Sequence, residues 1–205
     1  MTAPTLQTDV FILSKRPPAD SFQTFIAFSA EHGPLLILQR VAKKSANTTV
    51  TLDLFDEASL LLESSNQGRT WFVKETRLLI RHADLGRSYE TLVAASSLAS
   101  LVARNPGHEE TRPAVAALLR TAFAALAAGA RPDIVYFKSL FCFARDEGYP
   151  LKQQWFPLLP EDERAAAAPL LNRPLSAQTA APPTVLHLQR LLENYLRHHT
   201  EILLD

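Results

Sequence analysis

Eight cations in the first 80 residues are the side chains best placed to do chemistry: Lys15, Arg16, Arg40, Lys43, Lys44, Arg69, Lys74 and Arg77. Lysine and arginine hold phosphate backbones, and interleaved aromatics give unpaired bases something to stack on. In LLILQRVAKKSANTTVTLDLF (35–55), Arg40, Lys43 and Lys44 meet no acid until Asp53. Alone, such a stretch is either a solvated turn between strands or a place where a nucleic-acid backbone lies. The other cations add weight to the second reading. Lys15 and Arg16 leave one apolar segment, and Arg69, Lys74 and Arg77 flank or occupy another. Phe22, Phe25, Phe28, Trp71 and Phe72 are the available stacking groups, although several are needed for a core.

Other reactive residue types lack the company that catalysis requires. Cys142 sits between Phe141 and Phe143 with Lys138 and Arg145 at helical spacing but no histidine base, which describes a structural thiol. His198 and His199 are adjacent and so diverge on a helix; with Glu201 they do not form a metal-binding HExxH pattern. Glu161, Asp162 and Glu163 open a helical segment, where acids stabilise the N-terminus. No glycine-rich phosphate loop or nucleophile elbow appears. A non-enzymatic protein without metal or cofactor is expected. One cysteine excludes an internal disulfide and suits a reducing compartment. The opening MTAPTLQTD has no basic or apolar stretch that would direct export, and no apolar run is long enough to span a membrane. A cytoplasmic location is expected.

The elements that must position these cations change character near residue 80. Before it, DVFILSK (9–15), SFQTFIAFS (21–29), PLLILQRVA (34–42), TVTLDLF (49–55) and RTWFVKET (69–76) read as strands separated by proline, glycine and asparagine turns. Five strands in this length predict a small closed barrel of the OB type. After it, the apolar period becomes helical: 88–105, about 109–129, 133–148, a short helix at EDERAAAAPLL, a loop over 174–183, and a closing helix at 184–201. The last places Val185, Leu188, Leu192, Tyr195 and His199 on one stripe, expected to face a bundle core. The expected fold is α+β, an N-terminal OB-fold β-barrel (1–80) followed by a C-terminal α-helical bundle (81–205). The chain of 205 residues has 21 cations against 21 acids, with 47% apolar and 20% charged residues. Nucleic-acid binding must therefore come from local clustering.

Three segments, in order, resemble the RecO family of bacterial recombination mediators. VFILSKRPPADSFQTFIAFSAEHGPLLILQRVAKKS is similar to the family's N-terminal pattern of apolar strands around a basic Ala-Lys/Arg segment. VYFKSLFCFARDEGYPL resembles its helix running into Leu-Gly-Tyr-x-Pro, and LLNRPL with LQRLLENYLRHHTEILL resembles its closing segment. The four zinc-ribbon cysteines of many members are absent, and the basic segment is shorter than usual. The resemblance implies a protein that binds single- and double-stranded DNA, anneals strands and helps load the recombinase RecA on gapped DNA. It also implies two partners, RecR and the C-terminal tail of single-strand-binding protein. It assigns DNA contact to Arg40, Lys43 and Lys44, with Lys15 and Arg16 nearby. An acidic, apolar-ending tail calls for a basic rim around an apolar pocket; Arg120, Lys138 and Arg145 beside Phe123, Phe137 and Phe141 are the candidates. The rival reading, favoured by the neutral charge, is an interaction adaptor of the same architecture with little DNA binding.

Overall fold

A computed structural model describes residues 4–19, 21–41, 50–64 and 66–204. The fold is α+β: a five-stranded, ring-like sheet of OB-like order followed by a six-helix region. The chain divides into two compact units, Met1–His82 with Pro106–Ala116, and Ala83–Asn105 with Ala117–Asp205.

In the first unit, β1 (Thr5–Lys15), β2 (Phe22–Ser29), β3 (Gly33–Arg40), β4 (Glu57–Glu63) and β5 (Trp71–Ile80) close in the order β1-β2-β3-β5-β4. All pairings are antiparallel except β3 with β5, which is parallel and short (Ile37 opposite Trp71, Leu38 opposite Phe72). Alternation decides which residues fill the barrel. Val10, Ile12, Phe25, Ala27, Leu35, Ile37, Ala58, Leu60 and Leu62 are buried together, with Trp71 and Val73 packed against them. The β2–β3 turn needs a residue with positive φ at Gly33 (φ +70°). A Cβ there would also lie 2.9 Å from Arg112 Nε, so glycine answers both demands. Ser29 Oγ accepts from the Glu31 and His32 amides and meets Thr8 Oγ1 at 2.7 Å, satisfying the turn from inside.

The alternating segment 49–55 is not a strand, which corrects the sequence expectation; its residue 49 lies outside the described residues. Its alternation is honoured in one respect, since Leu52 is fully buried. Only its end meets a strand, the Phe55 amide donating to the Ile12 carbonyl of β1 (2.9 Å); among the described residues, 50–54 have no strand partner. Instead the inward Gln39 side chain donates to the Val50 carbonyl (2.8 Å) and accepts from the Leu52 amide (3.0 Å), standing in for a ladder. Phe55 then takes a positive φ of 65°, ending any extended run. The fourth strand is EASLLLE, whose glutamates, alanine and leucines favour helix intrinsically; pairing with β1 and β5 overrides that preference.

Between these two segments lies Asp56, 0% exposed. Its carboxylate takes a fork from Arg81 (Nε–Oδ1 3.0 Å, Nη2–Oδ2 2.7 Å) and a bond from the Asp53 amide (2.8 Å). Arg81 Nη2 also reaches the Thr51 carbonyl at 2.7 Å. This hydrogen bonding to Asp56 raises the Arg81 pKa. One pair thus joins the end of β5 to a segment with no ladder of its own.

The second unit contains α1 (Tyr89–Arg104), most of α2 (Arg112–Ala127), α3 (Pro132–Asp146), α4 (Leu151–Gln154), α5 (Glu161–Asn172) and α6 (Pro182–His199). Ser88 caps α1 by accepting from the Thr91 amide (3.1 Å). Helix α3 packs against α1 and α6, and buries Ile134, Phe137, Leu140, Phe141 and Phe143. The α6 stripe is Val185, Leu188, Leu192 and Leu196, each 0% exposed. Tyr195 and His199, expected on that stripe, stack on each other at 4.6 Å, with His199 exposed. A single residue of phase separates the two stripes, and Leu196 is the better core residue. Pro169 sits within α5, whose last carbonyls are capped from outside. Lys138 Nζ donates to Leu170, Leu171 and Arg173 (3.0, 3.3 and 2.7 Å), and Gln178 donates to Pro169, Leu170 and Arg173. Among the described residues, no helix is long and apolar enough to cross a membrane.

Two stability predictions follow from the first unit. Arg81→Leu strands a buried carboxylate, and urea denaturation should show a loss of about 2–3 kcal/mol. Fully buried pairs lose about 3–5, but Arg81 is itself 42% exposed. His82 is the second case: burial lowers its pKa, against the opposing pull of Glu57 and Asp56. The unfolded chain therefore takes up a proton near pH about 6.5 that the folded chain resists. Stability is full above that pH and falls as the solution is acidified below it. His82→Gln should flatten this part of the stability–pH curve.

Candidate nucleic-acid interface

Several of the basic residues converge on one end of the barrel because of how β2 is framed. Lys15 pairs in register with Phe25, and the Arg16 amide bonds to the Thr24 carbonyl (3.0 Å), so both cations leave β1 beside the start of β2. Arg40 ends β3 directly opposite Phe22, the first residue of β2. Two inward glutamines, cross-strand partners in the same ladder, fix the chain here. Gln23 Nε2 donates to the carbonyls of Arg16 and Thr24, and Gln39 holds residues 50–52. Both are nearly buried, at 7% and 4% exposed. They tie down the connection that carries Arg16 and the chain just before Asp53.

Two of the sequence-predicted lysines are ion-paired. Lys15 Nζ lies 3.0 Å from Asp53 Oδ1, and Lys74 Nζ lies 2.7 Å from Glu63 Oε2. Partial burial would raise the Asp53 pKa, but bonds from Lys15 and the Leu54 amide outweigh it and hold the carboxyl below its usual value. Arg16, Arg40, Arg69 and Arg77 are exposed and have no ion pair among the described residues. Arg69 lies in the turn just before β5. Arg77 is set apart: it stands opposite Ser59, which faces Asp9 of β1, five residues along β5 from Phe72. Lys43 and Lys44 fall outside the described residues.

The aromatics separate cleanly by parity. Phe25 fills the barrel, Trp71 packs against that core, and Phe28 is buried outside the interior cluster. Phe22 and Phe72 point outward and are half-buried, their rings edge-to-face with centroids 5.6 Å apart. The register row Thr24–Leu38–Phe72–Glu63 runs across β2, β3, β5 and β4, beside the Phe22–Arg40 pair. The signal for this division was present in the sequence, since Phe22 and Phe25 differ in phase along one alternating strand. Nothing in the spacing announced Gln23, Gln39 or the Asp56–Arg81 pair, which join residues distant along the chain.

The suggested dock in the helical unit is not built as expected. Phe123, Phe137 and Phe141 are all core residues, Lys138 caps α5, and Arg145 is paired with Asp146 at 2.7 Å. A different depression of about 220 Å³ lies along α6, lined by Trp155, Leu158, Leu159, Leu191, Tyr195 and His198 among others. Leu158 is 69% exposed there. Beside it, Glu163 pairs with His187 at 2.7 Å across a second hollow of about 360 Å³. Cys142 is half-buried, and burial raises its thiol pKa, so the thiolate is disfavoured. His198 Nδ1 bonds the Asn194 carbonyl (2.7 Å). Among the described residues, no three histidine, cysteine, aspartate or glutamate side chains gather as a metal site would require.

Compared with protein-family models and with curated proteins, the chain matches none.

Proposed function

We propose that this chain is a non-enzymatic, cytoplasmic DNA-binding protein of the RecO kind. It would hold DNA backbones at one end of its OB-like barrel, anneal complementary strands and help load a recombinase during gap repair. The observation that carries this reading is the convergence of Arg16 and Arg40 on the start of β2 in a barrel of OB strand order. The β2–β3 face and the loops after β1 and before β5 are where such barrels take oligonucleotides. Lys43 and Lys44, three and four residues past Arg40, extend the same cluster in the sequence. In this reading the partners are RecR and an acidic, apolar-ending tail of single-strand-binding protein, the tail being sought on the helical unit. The hollow at Leu158 and Tyr195 is apolar and open, but Glu163 and no lysine or arginine lines it, so it lacks the basic rim that such a tail calls for.

The adaptor reading also has a specific observation behind it. Lys15 and Lys74 are neutralised by the protein's own carboxylates, which lowers the charge available to phosphates. Salt titration of single-strand binding separates the two readings. For Arg16→Ala with Arg40→Ala, the slope of log affinity against log salt should flatten by roughly 0.7 for each lost phosphate contact. The loss should be equal for unrelated sequences, because phosphates carry no base information. Unchanged affinity and slope would put the adaptor reading first.

Removing the competing acids gives the opposite sign. Asp53→Asn keeps an oxygen able to accept the Leu54 amide but releases Lys15, and Glu63→Gln releases Lys74. Each should steepen the salt slope by up to roughly 0.7 and tighten binding at low salt. A variant pair that leaves both quantities at the parent value would show that these lysines do not reach the strand.

A further inference from the structure

We infer that the outer face of β2, β3 and β5 is a stacking platform for unpaired bases, with Phe22 and Phe72 as its contact groups. This rests on the DNA-binding reading above and adds what part of the nucleic acid the barrel touches. The outward alternates of an antiparallel sheet facing water are normally polar. Here Phe22 and Ile26 on β2, Leu36 and Leu38 on β3, and Phe72 on β5 form an apolar strip, with Thr24 within it, Arg40 and Lys74 at its end and Phe28 buried beyond it. The five apolar residues of the strip are half-buried rather than sealed in the core. The edge-to-face geometry of Phe22 and Phe72 leaves ring faces that the partner ring does not cover.

Charge identifies the occupant. Arg40 stands directly opposite Phe22 and has no ion pair among the described residues, while Glu63, opposite Phe72, is matched by Lys74 at 2.7 Å. An apolar strip that ends on an arginine, with its neighbouring acid already matched by a lysine, suits a ligand that is anionic along its backbone and flat and apolar in its side groups. Single-stranded DNA has that chemistry. A duplex does not, because its base faces are stacked on one another. An apolar peptide would gain nothing from the arginine, and an acidic one would lack rings to stack. Stacking is also tolerant of sequence, as every base has a π-face, which suits a protein whose other contacts are to phosphates.

The test separates bases from phosphates. Binding of a thymidylate oligonucleotide, an abasic strand of equal length and a duplex of unrelated sequence is measured for the full chain. The same is done for Phe22→Leu with Phe72→Leu, whose folding is checked by thermal melting. The parent should prefer thymidylate to the abasic strand by about tenfold or more, the range expected for one or two stacked bases. The double variant should lose that preference while keeping its salt slope and its duplex affinity. As a second readout, Phe72→Trp should add fluorescence that thymidylate quenches and the abasic strand leaves unchanged; this stands even if the leucine variant fails to fold. Equal binding of thymidylate and abasic strands by the parent overturns the platform while leaving phosphate binding intact. So does a folded leucine variant that keeps the preference. If the parent binds none of the three, both the platform and the DNA-binding reading fall.

Discussion

The buried Asp56 carboxylate is the fixed point of the barrel unit. A closed five-stranded sheet must carry its chain from the end of β3 to the start of β4, and here the last part of that route, residues 50–56, has no ladder. Its end is satisfied by β1 backbone, the Phe55 amide donating to the Ile12 carbonyl and the Ile12 amide to the Asp56 carbonyl (both 2.9 Å). Buried backbone polar groups without partners are costly, so the stretch before it must be satisfied by side chains. Asp56 does this from one side, by receiving the Asp53 amide, and Gln39 does it from the other. Arg81 supplies the countercharge and adds a bond to the Thr51 carbonyl. With those groups in place, Leu52 fills the barrel and Asp53 stands within reach of Lys15. The position of a surface ion pair thus follows from a buried one.

That dependence reaches the candidate interface through the two glutamines. Gln23 and Gln39 face inward where apolar residues would otherwise continue the core, and each spends its amide on neighbouring backbone. Replacing Gln39 with leucine would take the partners from the Val50 carbonyl and the Leu52 amide, and replacing Gln23 would take the partner from the Arg16 carbonyl. A polar plug at this end of the barrel is therefore coupled to the placement of Arg16 on one side and residues 50–52 on the other. Side chains held by such bonds lose little further freedom when a ligand arrives.

The sequence disclosed the barrel and the helical half through period alone. Four of five strands and the principal helices lie where alternation and 3.6-residue spacing put them. It misled where two signals conflicted. Residues 49–55 alternate well, yet Gln39 and Asp56 take their backbone groups; residues 57–63, to which no strand was assigned and whose residue types favour helix, are claimed by β1 and β5. The α6 stripe shows the same limit at finer scale, because Tyr195 and Leu196 differ by one residue of phase and only packing chooses between them. At the candidate site, cation positions were legible but their partners were not. Asp53 lies 38 residues from Lys15 along the chain, and no local pattern connects them.

Those partners change what the zero formal charge means. Exposed charges beyond about 8–10 Å are largely screened at ordinary ionic strength, so what a strand meets is the local arrangement. At this end of the barrel the two neutralised cations, Lys15 and Lys74, are both lysines, whereas Arg16 and Arg40 are not ion-paired among the described residues. The distinction is chemical as well as electrostatic. A guanidinium presents a rigid fork that matches phosphate oxygens, and it is less strongly hydrated than an ammonium. Acids placed against the lysines leave Arg16 and Arg40 as the exposed cations at the start of β2. A chain with no net charge can then still offer a directed anionic site, because its carboxylates are matched to particular cations rather than spread evenly over the surface.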